Sequence, residues 1–293
     1  MNKYFKIFFG ITLFVALFSI FLPISIQNIL AGLGILTVGI LHGANDLKIL
    51  TSLKSSTKYK KRDYFLIYIG VVLLGIAVFY FFPSAGLLTF VGVSCYHFGE
   101  QHWEGKLNPA LHPFPFFTLY GALLFFLLFT FQYEDTLAVV SQISSVTLSF
   151  SFFWMTLGLL CLLFFLTLFR YVKSFSQIFM ELGLLIVLSI LFANASLLFG
   201  FAFYFVVWHS IPSLQEQISY LYPSSSSFPL YQYFKSAALY WIMALLGLLF
   251  AYYYIGVTEK NFLALFFSFL AAITFPHVVV IGRMFRRKKE HED

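Results

Sequence analysis

The chain has 293 residues, 60% of them hydrophobic and only 10% charged, with seven histidines, two cysteines and a formal net charge of +6. A soluble domain of this size carries about a quarter charged residues, so a mean hydropathy of +0.88 excludes an ordinary water-soluble fold and points to a polytopic membrane protein. At about 20 residues per helical span, roughly eight to ten spans fit in one integral-membrane domain covering 1–293, with no room for a soluble domain.

The apolar runs predict an all-α transmembrane bundle. In chain order they cover 4–22, 28–47, 64–82, 85–103 and 113–131, then 150–169, 175–192, 196–215, 232–256 and 261–282. The opening MNKYFK and its apolar run imitate a signal peptide. The run ends in FLPISIQ without a small-residue cleavage site, so it reads as the first span rather than a cleaved leader. The longest polar stretch, Lys48 to Asp63, reads as a loop. Glu134 and Asp135 fall in the connection 132–149, and only Phe192 to Ala195 separate the seventh and eighth segments. The four serines at 224–227 read as another loop, and the chain ends in a basic tail. Cys95 and Cys161 lie inside apolar runs and form neither a disulfide framework nor a metal motif.

Charge orients the drawing. With both termini cytoplasmic, 17 of the 18 basic residues fall on the inner side, and only Lys260 falls outside. The sequence pI of 9.1 is therefore a topology signal and calls for no nucleic acid. The basic 54–62 loop and tail are suited to contact with anionic lipid. The 41 phenylalanines and 18 tyrosines admit two readings: lipid-facing and interhelical packing, or an aromatic-lined cavity for a long apolar ligand.

Four histidines stand out. His42, His97, His209 and His277 lie in the second, fourth, eighth and tenth segments, all of which run inward. Each sits roughly 18–24 Å below the outer end of its span, counting 1.5 Å per residue, so all four share one depth. Intramembrane ionisable groups are expensive and turn toward the bundle interior. Imidazoles from separate helices build metal sites in bundles, and a neutral imidazole brings a ligand without adding charge. A metal site is favoured over a proton or ion relay. Iron, copper and zinc all suit an all-histidine set.

Polar neighbours accompany each histidine. On an ideal helix Asp46 lies about 40° from His42, Glu100 and Gln101 about 60° and 40° from His97, and Ser213 and Glu216 about 40° and 20° from His209. They are suited to hold the rings from a second layer around the metal. His102 lies about 140° from His97 and reads as interfacial. Pro212 and Pro276 can re-aim the histidines beside them. Gly43 and Gly99 permit close approach of helices or ligand.

The motifs GILHGANDL (39–47), YHFGEQHW (96–103), WHSIPSL (208–214) and FPHVVV (275–280) resemble, in order and spacing, those of the Brp/Blh family of integral-membrane β-carotene 15,15′-dioxygenases. The resemblance spans essentially the whole chain. It implies Fe(II)- and O2-dependent cleavage of the central double bond of β-carotene to two retinals, which supply a microbial rhodopsin from a prokaryotic cell membrane. It also implies that His42, His97 and His209 are catalytic iron ligands and that the aromatic residues wall a polyene tunnel. The family commonly has a histidine four residues after that of WHS, where this chain has Ser213. Three alternatives follow. His277 completes the ligand set, iron sits on three histidines plus water, or the oxygenase activity is lost or altered. Two rival functions accompany the enzyme reading: a non-catalytic carotenoid- or retinal-binding or regulatory membrane protein, and a proton-coupled transporter.

Overall fold

Hydrocarbon offers a backbone no hydrogen-bond partners, so a spanning segment must satisfy its own N–H and C=O groups. The computed structural model describes residues 3–53, 60–222, 227–255 and 262–292, and every regular element among them is helical. In chain order these are α1 (Lys3–Phe18), α2 (Ile24–Gly34), α3 (Asp46–Ser52), α4 (Lys61–Phe81), α5 (Pro83–Trp103), α6 (Phe114–Phe131) and α7 (Tyr133–Ser144). The second half holds α8 (Phe150–Tyr171), α9 (Phe175–Asn194), α10 (Leu197–Tyr204), α11 (Ile211–Leu221), α12 (Pro229–Ile255) and α13 (Phe262–Glu292). Two π-helical stretches, Ile35–Gly39 and Phe205–Ser210, continue α2 and join α10 to α11.

Among the described residues, eight helical segments are long and apolar enough to cross a membrane: Tyr4–Phe21, Arg62–Phe81, Phe114–Phe131, Phe150–Tyr171, Phe175–Asn194, Leu197–Leu221, Pro229–Tyr254 and Leu263–Lys288. The chain is thus a multi-pass helical membrane protein. Two predicted spans look different. The run 28–47 is interrupted, because the chain leaves the helix at His42 and turns through Gly43, Ala44 and Asn45 before α3 begins. Gly and Asn favour turns over helix interiors. The run 85–103 is one continuous helix whose last two turns carry the polar residues of YHFGEQHW. The connection 132–149 also contains a helix, α7, with Glu134 and Asp135 in its first turn, where carboxylates suit the helix dipole. Ser224 to Ser226, residues 54–59 of the basic loop and Lys260 lie outside the described residues.

The chain divides into two compact units. The first comprises 1–35, 94–141 and 146–209, and the second 36–93, 142–145 and 210–293. In the first unit α6 packs on α8 and α9, α1 on α9, and α10 on α2 and α6. Its core includes Phe116, Tyr120, Phe153, Phe164, Leu184 and Leu188. Helix starts are capped by serines: Ser149, Ser174 and Ser196 accept from the N–H groups of Phe152, Gln177 and Phe199, each worth about 1 kcal/mol. Buried Gln27 serves chain ends in the same way. Its amide donates to the carbonyls of Ser19 and Leu22 at 3.1 and 3.0 Å and accepts from the Ser196 N–H at 2.7 Å. In the second unit α13 packs on α4, α3 and α12, while α11 packs on α3 and α12. Ile49, Val280, Ile281, Met284 and Phe285 form its core.

Two glycines set the spacing of α5 and α6. A Cβ on Gly99 would lie 1.9 Å from the Phe117 carbonyl oxygen, and one on Gly121 would lie 1.8 Å from the Cys95 carbonyl oxygen. The two backbones touch, and no side chain fits between them. Gly99→Ala and Gly121→Ala must force the helices apart and lower stability by about 1–3 kcal/mol or more. By contrast, a methyl group added at the exposed Gly158 would meet nothing within 4 Å, so Gly158→Ala should be neutral or stabilising. Thermal unfolding in detergent separates them, and a Gly99→Ala protein as stable as wild type would contradict this crossing.

Candidate metal centre

Each unit brings two buried histidines together. In the second unit His42 and His277 have ring centroids 4.8 Å apart, near perpendicular at 89°, and potential ligand atoms within 4.8 Å of each other. Their Nδ1 atoms face acceptors. That of His42 bonds the Gly39 carbonyl. That of His277 lies 2.9 and 3.1 Å from the two oxygens of Asp46. A carbonyl or carboxylate oxygen only accepts, so each Nδ1 carries hydrogen and, in the neutral ring, the lone pair sits on Nε2. This tautomer presents Nε2 as the atom with which each ring would ligate a metal.

Asp46 is also held from its other side, because the Tyr68 hydroxyl donates to its Oδ2 at 3.0 Å. An ideal helix makes Asp46 the partner of His42. The break after His42 removes that relationship, and Asp46 supports His277 from 231 residues away instead. A Cβ at Gly43 would lie 3.5 Å from His277 Nδ1, in ordinary contact, so the pairing does not depend on glycine there.

In the first unit the rings of His97 and His209 lie 4.7 Å apart at 76°. His97 Nδ1 is 3.9 Å from Glu100 Oε2, longer than a direct hydrogen bond. The other Glu100 oxygen accepts from the Tyr96 hydroxyl at 2.5 Å. Gln101 is buried beside them in sequence. The His209 ring stacks on Phe98 at 4.4 Å and 7° and on Phe205 at 5.5 Å and 15°, which fixes its plane. His209 belongs to the π-helical stretch Phe205–Ser210, and such wide turns recur at functional sites. Beside this stack a narrow apolar recess is lined by Phe98, Phe125, Phe192, Phe201 and Tyr204 with Leu124 and Leu128.

On α11 the expected face is rotated. Ser213 and Gln217 are fully buried, whereas Glu216 is half-buried. Gln217 Nε2 lies 3.1 Å from Ser213 Oγ. Sequence reasoning misses Tyr68, Asn45 and Tyr233, whose partners are distant in sequence, and Gln217, which meets Ser213 one turn away and Tyr233 on α12. Tyr233 is buried and contacts the His42 carbonyl at 3.0 Å.

His102 is the clearest correction. It is not interfacial but buried, with Nε2 2.8 Å from Glu181 Oε2 and the Tyr204 hydroxyl 3.4 Å from Nδ1. Its ring stacks on Tyr120 at 4.7 Å, and Lys106 reaches the other Glu181 oxygen at 4.0 Å. The helix continues through Trp103, so the face opposite His97 is buried too, against α9. A lone glutamate in the apolar run 175–192 is the available signal.

The donor chemistry fits a divalent transition metal. Of the five buried imidazoles, His102 is engaged with Glu181, while His42, His97, His209 and His277 offer ring nitrogens, two of them with Nε2 prepared as the donor, and two buried carboxylates lie close behind His277 and His97. Comparison with protein families matches residues 33–285 to the model of beta-carotene 15,15′-dioxygenase. The chain belongs to this dioxygenase family. Comparisons with curated proteins and with solved structures return no match. Family membership makes the protein a dioxygenase-type membrane enzyme.

The His102–Glu181 contact can be tested apart from any metal. Removing one partner of a buried pair costs roughly 3 kcal/mol, because it strands the other. His102→Leu and Glu181→Leu should each lower thermal stability by this order, and the double variant should lose less than the sum. Additive losses in the double-mutant cycle would contradict direct coupling.

Proposed function

We propose that this family member cleaves the central 15,15′ double bond of β-carotene with O2, giving two retinals, at an iron(II) centre held by His42, His97, His209 and His277. The observation that carries this reading is the pair His42 and His277, whose Nδ1 hydrogens are committed to Gly39 and Asp46 so that Nε2 is the donor atom. The family match over 33–285 supports the reaction class. The common depth of the four histidines along inward-running spans supports their use as one ligand set. Iron, when bound, supplies O2 binding and activation at the coordination positions that the protein leaves open.

The chain's own residues hold, orient and exclude water. Asp46, fixed by Tyr68, keeps the His277 tautomer. Phe98 and Phe205 keep the His209 ring in plane. The aromatic rings of the recess beside them offer faces on which a flat conjugated chain would stack without a polar partner, and the recess would have to open to admit one. Such a substrate dissolves in the bilayer, which accounts for an enzyme built within the membrane. A prokaryotic cell membrane is its site in this reading, with a microbial rhodopsin as the consumer of retinal. Buried Ser213, held by Gln217, favours a second reading in which the protein binds carotenoid or retinal without cleaving it.

Expression in a β-carotene-accumulating bacterium separates the two. The enzyme reading expects bleaching, retinal in the extract and stoichiometric iron in the purified protein, with bleaching and retinal lost in His97→Ala. Asp46→Ala should reduce iron affinity about 10- to 100-fold. Well-folded, iron-loaded protein that leaves β-carotene intact would refute cleavage. Pigment that co-purifies uncleaved with little iron would support the binding protein.

A further inference from the structure

The turn after His42 is gripped at both ends by one buried tyrosine. The Tyr233 hydroxyl on α12 lies 3.0 Å from the His42 carbonyl, and the Tyr233 carbonyl accepts from Asn45 Nδ2 at 3.0 Å. Asn45 is also held at its oxygen, because Ser236 Oγ donates to its Oδ1 at 2.8 Å. The helix cannot do this work. The Asp46 N–H, which would bond the His42 carbonyl in a continuous helix, bonds Gly43 instead. Tyr233 thus replaces a backbone interaction lost where the helix breaks.

Proton counting extends the grip to α11. The structure sets Gln217 Oε1 2.7 Å from the Tyr233 hydroxyl and Gln217 Nε2 3.1 Å from Ser213 Oγ. A phenol has a single hydrogen, and the His42 carbonyl can only accept it. With that hydrogen given to His42, the amide oxygen and nitrogen of Gln217 exchange places, and the phenol oxygen accepts from the Gln217 NH2 group. That turns the Gln217 carbonyl toward Ser213, whose hydroxyl becomes the donor. The order runs Ser213 to Gln217 to Tyr233 to the His42 carbonyl. Ser213, Gln217 and Tyr233 all have 0% relative exposure, so water cannot substitute for a missing member.

We propose that Tyr233 is a positioning residue that sets the place of the His42 ring, and that Ser213 orders its hydrogen bonding through Gln217. The His42 role rests on the iron-centre reading above. Serine at 213 then has a task of its own, as the small hydroxyl donor that starts this chain of bonds.

The test uses full-length protein in detergent, first metal-free and then titrated anaerobically with Fe(II) against a chelator. Tyr233→Phe removes only the hydroxyl. In metal-free protein, amide hydrogen exchange in the segment 42–46 should quicken roughly tenfold. Fe(II) affinity should fall about 10- to 100-fold, as for other residues that orient ligands. Ser213→Ala should move both readouts the same way by a smaller factor, and it guards against a folding failure in Tyr233→Phe. Unchanged exchange in both variants overturns the brace. Faster exchange with wild-type Fe(II) affinity overturns the positioning role. Wild-type protein that takes up no Fe(II) overturns the ligand role of His42, while the exchange result still decides the brace.

Discussion

Hydrocarbon gives a polar group nothing to bond to, and the arrangement of this protein follows from that constraint. A chain that is 10% charged still buries Asp46, Glu100 and Glu181. Each has protein partners close by: Tyr68 and His277 for Asp46, Tyr96 for Glu100, His102 for Glu181. The same requirement explains the tolerated break after His42. Its backbone is satisfied by a side chain from α12, and its asparagine by a carbonyl and a hydroxyl on the same helix. The break is costly only if those partners are removed, which ties the local turn to the tertiary fold of the second unit.

Much of this is legible in the sequence, and the reason is physical. Hydropathy reports directly on lipid contact, so the rough limits of the eight long apolar helices follow from it, while apolar content alone draws the runs 28–47 and 85–103 as spans. The four histidines are conspicuous because an ionisable group in an apolar run is rare. Their partners are less so. The ideal-helix argument assigns neighbours by 100° steps and holds only while the helix stays regular. It fails for Asp46, where the chain turns at 42–45, and it passes over Gln217, which is fully buried on α11 where Glu216 is not. Tyr68 and Tyr233 give no signal among eighteen tyrosines, because nothing local marks the one whose hydroxyl finds a carboxylate or a carbonyl. His102 is misplaced for a related reason. Angular distance from His97 says which way a side chain points but not whether a second helix covers that side, and α9 brings Glu181 to meet it.

Close packing constrains the first unit as strictly as hydrogen bonding constrains the second. The Gly99–Phe117 and Gly121–Cys95 approaches bring α5 and α6 to backbone contact. Water-soluble cores rely on burying apolar area, but helices in lipid gain little from that and associate through tight packing instead. Gly99 lies between His97 and Glu100. The crossing therefore fixes the stretch of α5 that carries both groups, and a change in helix spacing would move them together.

Charge balance gives a further reason for the carboxylates under the iron reading. Four neutral imidazoles around a divalent ion would leave two positive charges in a medium where an uncompensated ion costs several kcal/mol or more. Adding a carboxylate to the ligand set would neutralise charge but occupy a position needed for O2. Carboxylates one step behind the imidazoles avoid that conflict. Asp46 stands behind His277 and Glu100 near His97, where under that reading they would offer counter-charge without occupying coordination positions. The hydrogen bond from His277 Nδ1 to Asp46 also makes the ring a stronger donor. Tyr68 and Tyr96, by donating to those carboxylates, spread the negative charge and keep each one aimed. On this account the carboxylates of the membrane spans would be the counter-charge that lets a divalent metal reside there.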